Sequence, residues 1–138
     1  NWITSEVEEF SIFVRHDSAA PLNFFARIAG PANFPGVVAI SFTPVLANTW
    51  TELTFSITAA NPQFIFEGQA STFNSVFSNI GNIQIGVSVP ASLAGSNTTI
   101  NFDTDQATVT TVPEPTSIAL LGGAGAMLLL RRRRQNIA

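Results

Sequence analysis

The chain has 138 residues and a mass of 14.7 kDa, room for one domain of ordinary size and not for two. Charged residues are 11% of it, against roughly 25% in an average soluble domain, yet apolar residues reach 46%, which excludes a disordered or acidic-tail protein. Cys and Lys are both absent, which excludes a disulfide scaffold, a zinc–cysteine site, a thiol nucleophile and a Schiff-base lysine.

Along the chain the net charge of −3 divides unevenly. Residues 1–112 carry Arg15 and Arg27 against eight carboxylates (Glu6, Glu8, Glu9, Asp17, Glu52, Glu67, Asp103 and Asp105), a net of −6. Residues 113–138 carry Glu114 and the four arginines Arg131, Arg132, Arg133 and Arg134, a net of +3. A body of that charge repels a phosphate backbone, so no nucleic-acid partner is expected. The chain opens at Asn1 without an initiator Met or an apolar leader, which reads as a fragment or a mature form, so that any N-terminal signal peptide is unseen rather than absent.

From Glu6 to Val112 the dominant period is two, the mark of strands with one buried and one wet face. Phe10, Ile12 and Val14 open the series. Leu22, Phe24, Ala26 and Ile28 follow, then Leu53, Phe55 and Ile57, then Ile83, Ile85, Val87 and Val89. Weaker alternation predicts strands over Val37–Phe42, Phe64–Glu67, Thr72–Phe77, Thr99–Phe102 and Gln106–Val112. Gly30-Pro31, Pro35-Gly36, Asn61-Pro62, Gly81-Asn82 and the run from Pro90 to Thr98 supply the turns. Seven to nine short strands and no helix in the body predict an all-β fold. It is an antiparallel β-sandwich, jelly-roll-like, over residues 1–112. Trp50 falls out of step with Leu53, Phe55 and Ile57, which puts it on the opposite face or beside a bulge.

At Pro113 the composition changes. Pro113 and Pro115 have no N–H to give a ladder and hold their neighbours extended. Thr116-Ser117 offers an N-cap to the uncharged run Ile118–Leu130, predicted as a short transmembrane helix over 117–130. Its thirteen residues span about 20 Å as a helix, less than the roughly 30 Å of a hydrocarbon core. The snorkelling stems of Arg131 to Arg134 make up part of the difference, and these arginines read as a stop-transfer cluster held on the cytoplasmic side.

An extended Val112-Pro113-Glu114-Pro115 segment, one apolar helix and a terminal Arg cluster, in that order over residues 113–138, resemble the PEP-CTERM sorting signal of Gram-negative bacteria. The resemblance implies recognition by an exosortase, a polytopic membrane protein with a cysteine-protease-like site. It also implies transit through the inner membrane to the cell surface or extracellular matrix, in an export route tied to extracellular polysaccharide. A second likeness lies in Phe102–Val109, similar to the closing strand of carbohydrate-binding jelly rolls, with Asp105 at the Asp position.

Side chains able to do chemistry are few. His16 is the single histidine; flanked by Arg15 and Asp17 it reads as a solvated turn residue, and any Ser-His-Asp triad has to use it. Glu52 with Glu67 is the pair a secreted glycoside hydrolase would need. Asp103 and Asp105, two apart on one strand face, are the candidate ligands for a structural calcium; no other cofactor is expected. Stacking on sugar rings calls for exposed aromatics: Trp50 is the candidate carbohydrate-binding residue, with Trp2, Phe13 and Phe25 also out of step. The leading expectation is an exported, non-enzymatic surface protein; the alternative is a carbohydrate-binding module.

Overall fold

A computed structural model describes residues 1–112. The sorting tail, with its predicted helix over 117–130, its prolines and its arginines, lies outside the described residues.

Seven strands form two antiparallel sheets. They are β1 (Val7–His16), β2 (Asn23–Ala29), β3 (Gly36–Ile40), β4 (Thr51–Ser56), β5 (Phe64–Phe66), β6 (Asn82–Ser88) and β7 (Phe102–Thr111). One sheet has the order β4-β1-β7 and the other β5-β3-β2-β6. The inward-facing side chains are those the period of two selects. Phe10, Ile12 and Val14 of β1 meet Phe24, Ala26 and Ile28 of β2, Val37 and Ala39 of β3, and Leu53 and Phe55 of β4 in one core cluster. Phe10 and Phe55 stack at 6.3 Å between centroids on the adjacent strands β1 and β4.

Three expectations need correction. Thr72–Phe77 is no strand: Phe73–Phe77 is a helix, α1, and a single 3₁₀ turn covers Ala91–Leu93. Thr72 Oγ1 accepts from the Ser75 N–H at 3.2 Å while Ser75 Oγ accepts from the Thr72 N–H at 2.8 Å. This reciprocal cap fixes the first turn. Val76 and Phe77 are then buried, and Phe77 packs on Phe64, Phe73 and Trp2. Thr99–Asn101 is likewise outside any strand, and Phe102–Thr111 is one strand rather than two. Between Ser11/Thr108 and Phe13/Asp105 the register slips by one residue on β7, a bulge at which Gln106 takes a positive φ of 49°.

The third correction is His16. It ends the inward series of Phe10, Ile12 and Val14 and is 1% exposed, not solvated. Nε2 lies 2.9 Å from the Val45 carbonyl and Nδ1 accepts from the Ser18 N–H at 3.1 Å, so the partners define a neutral ring with its proton on Nε2. The ring also lies against Phe24, 6.0 Å between centroids.

The sandwich is less closed at β7. Phe102 and Val109 sit beside the inward residues His16 and Phe10 yet remain 45% and 43% exposed. Across the gap β6 turns Ile83, Ile85 and Val87 the same way without burying any of them fully.

Candidate functional site

The outward face of β4-β1-β7 gathers most of the chemistry. Antiparallel register places Glu52 and Asp105 on either side of Phe13, Thr54 and Thr108 on either side of Ser11, and Ser56 and Thr110 on either side of Glu9. Trp50 precedes Thr51, the partner of Val14, and so stands next to Arg15, whose other neighbour is Asp103. Trp50 therefore shares a face with Glu52 and Thr54, opposite to Leu53 and Phe55, and is 43% exposed.

That first row is tied together. The Arg15 guanidinium lies 5.0 Å from the Trp50 ring centroid. Its Nε and Nη2 both donate to Asp103 Oδ2, at 3.0 and 2.7 Å. A partly exposed ion pair of this kind contributes little stability by itself, about 1 kcal/mol or less, and it holds the guanidinium beside the Trp50 ring. Asp105 Oδ1 accepts from the Gln106 N–H at 2.8 Å, which steadies the bulge and leaves Oδ2 toward solvent.

The other candidates are scattered. Asp103 spends its charge on Arg15, and among the described residues no group of three or more His, Cys, Asp or Glu side chains converges as a metal site. Glu67 is on the opposite sheet from Glu52. It accepts from Arg27 Nε at 2.6 Å and Nη2 at 2.7 Å, and Arg27 Nη2 also donates to the Asn33 carbonyl. Those charge-assisted bonds from Arg27 hold the Glu67 carboxyl below its ordinary value. Asp17, fully exposed, is lowered by the side chain and then the N–H of Asn101. Trp2 lies on Phe10 and Phe77, and the Phe25 ring covers Gly86, where no Cβ would fit. Of the aromatics out of step, Trp50 is the one that is both exposed and held by charged neighbours. Arg15 was the residue that sequence reading passed over. Its signal was parity, since Phe13, Arg15, Glu52 and Trp50 are all one step from the buried series.

The second region is where the body ends. β7 stops at Thr111, and the Val112 N–H donates to the Glu6 carbonyl at 3.0 Å, the last backbone bond of this strand among the described residues. An open groove of about 880 Å³ lies here, lined by Glu6, Glu8, Glu9, Ile57 and Val112 among others. Pro113 follows at once and has no N–H for a further rung.

No curated protein and no solved structure matches this chain. One family model does, and it starts at the final residue of β7. That family is a signal for exosortase-type sorting, carried by secreted or cell-surface proteins processed at the membrane. Residues 111–134 match the PEP-CTERM protein-sorting motif, so the chain carries that motif joined directly to the last strand of an all-β body.

Proposed function

We propose that this is an exported protein of the cell surface or extracellular matrix, delivered through exosortase, whose body binds or builds rather than catalyses. The sorting motif at residues 111–134 carries the reading. In transit, the apolar run over 117–130 crosses the inner membrane with Arg131 to Arg134 kept cytoplasmic. Moving them across would oppose the membrane potential by about 2.3 kcal/mol per charge per 100 mV. Val112-Pro113-Glu114-Pro115 then lies near the outer face, extended and open to a protease-like site. A non-enzymatic body is supported by His16, whose two ring nitrogens are taken up by backbone groups, and by Glu52 and Glu67 standing on different sheets. A jelly-roll-like topology is supported by the two antiparallel sheets, between which the chain crosses after β1, β3, β4 and β6.

Replacing Pro113-Glu114-Pro115 by three alanines is expected to abolish surface delivery and to leave full-length chain in the membrane fraction. Delivery at the wild-type level would overturn the reading. A second reading, carbohydrate binding by the body with extracellular polysaccharide as partner, is favoured by the exposed Trp50 braced by Arg15. Retention of the full chain on immobilised polysaccharide is its test, and passage through every such matrix would remove it.

A further inference from the structure

We propose that the outward face of β4-β1-β7 takes an uncharged polysaccharide chain, stacked on Trp50 and hydrogen-bonded through Glu52 and Asp105, and rejects polyanionic glycans. This rests on the carbohydrate reading of the body and adds the ligand class and the place.

Preorganisation comes first. An exposed tryptophan on a strand face ordinarily loses rotamer freedom when a ligand lands on it, at about 0.5–1.5 kcal/mol for each side chain immobilised. Here Arg15 lies 5.0 Å from the ring centroid and is itself held by two hydrogen bonds to Asp103, so side chains of β1 and β7 already brace the ring on one side. Because the guanidinium stands over one face of the ring, a sugar would stack on the other face of Trp50, which is 43% exposed overall, with its hydroxyls turned to the polar neighbours.

Shape decides between a single sugar and a chain. Four outward rows run along the sheet: Trp50–Arg15–Asp103, Glu52–Phe13–Asp105, Thr54–Ser11–Thr108 and Ser56–Glu9–Thr110. At about 3.4 Å per residue and two residues per row, the rows cover about 20 Å. Among the described residues the rows form an open face, running at the Ser56–Glu9–Thr110 end into the open groove beside Val112, so a small ligand would bury little of itself there. An extended polymer can lie along the strands, with the aromatic row at one end and the exposed hydroxyls of Thr54, Thr108, Ser56 and Thr110, flanking the buried Ser11, at the other.

Charge decides the polymer's chemistry. The face carries Glu9, Glu52, Asp103 and Asp105 against Arg15 alone, and Arg15 is spent on Asp103. Among the described residues Glu9, Glu52 and Asp105 make no ion pair and stand as acceptors. Sugar hydroxyls donate to such groups in charge-assisted bonds, whereas uronate or sulfate groups would meet like charge in a body that is −6 over residues 1–112.

The test is affinity electrophoresis of the full chain in detergent, through gels containing hydroxyethyl cellulose or polygalacturonate. Retardation is expected in the neutral glucan gel and not in the polyuronate gel. Trp50→Ala is expected to weaken retardation about tenfold with the melting temperature unchanged. Glu52→Gln combined with Asp105→Asn, a smaller change to the fold, is expected to weaken it as well. Equal or stronger retardation by polygalacturonate would overturn the proposal and leave the carbohydrate reading standing. Retention of full affinity by both variants would overturn the placement. Absence of retardation in both gels would overturn the proposal, and the wider panel of immobilised polysaccharides then decides whether the carbohydrate reading goes with it.

Discussion

Replacing His16 by alanine tests whether the one histidine of the chain is part of the core. The side chain is 1% exposed, with Ser18 and Val45, which it bridges, also buried. Truncation leaves the Ser18 N–H without its acceptor, a loss of about 1–3 kcal/mol when water does not replace it, while the Val45 carbonyl loses its second donor and keeps the bond from the Leu22 N–H at 3.1 Å. The contact with Phe24 goes as well. Partial relaxation around the gap reduces the sum, and a net loss of about 3 kcal/mol follows. In a body of this size that lowers the melting temperature by roughly 10–20 °C. Circular dichroism melts of the full chain in detergent, wild type beside His16→Ala, read the effect. His16→Gln, which can still donate to Val45, should fall between the two. A melting temperature for His16→Ala within about 3 °C of wild type would refute the argument, because it would mean that the bridged backbone groups find partners without the ring.

Two further outcomes follow from burial and charge. Phe55→Ala, in the closed part of the core, should cost about 3–5 kcal/mol, whereas Phe102→Ala on the open side should cost about 1 kcal/mol, so equal effects in chemical denaturation would contradict the picture of a sandwich open along β7. Because Arg27 holds the Glu67 carboxyl below its ordinary value, the pair's contribution is complete above the ordinary glutamate range and is lost as pH falls through the lowered value. Glu67→Gln should therefore destabilise by about 1 kcal/mol at neutral pH and converge on wild type in acid, and a gap that persists unchanged in acid melts would refute the assignment.

Much of this architecture was legible in the period of two, and the exceptions share a cause. Alternation found the buried faces of β1 to β4 because those strands have a sheet on one side and water on the other. The same pattern, extended one step past Val14, already put His16 inside; its charged neighbours drew the eye to a turn. The helix at Phe73–Phe77 was hidden because its reciprocal cap uses Thr72 and Ser75, without the Glu or Gln that marks a capping box in sequence. β7 was split in the sequence reading because the bulge at Gln106 breaks parity within one strand. Of the candidate site, Trp50 announced itself by being out of step. Its coupling to Arg15 and Asp103 depends on the register of three strands far apart in sequence, which no local pattern encodes.

The junction between body and sorting motif ties these observations to export. In the described structure Val112 is still bonded to Glu6, and the motif match has already begun at Thr111. The chain between Val112 and the apolar run beginning at Ile118 reaches about 20 Å even when fully extended. If that run enters the bilayer as proposed, the end of β7 stays within that distance of the membrane, and the end of the sheet bearing Glu6, Glu8 and Glu9 is the part of the body nearest to it. Where the outer leaflet carries anionic headgroups they would repel that end, so the acidic charge would favour the body standing off such a surface over lying on it. Standing off would put tension on the linking residues, and the chemistry of Pro113 and Pro115 works in the same direction, since Pro113 has no N–H for the next rung of the β1–β7 ladder. On the proposed threading, the charge of the body and the prolines of the motif would act together toward an extended linker, the form in which a protease-like enzyme takes its substrate.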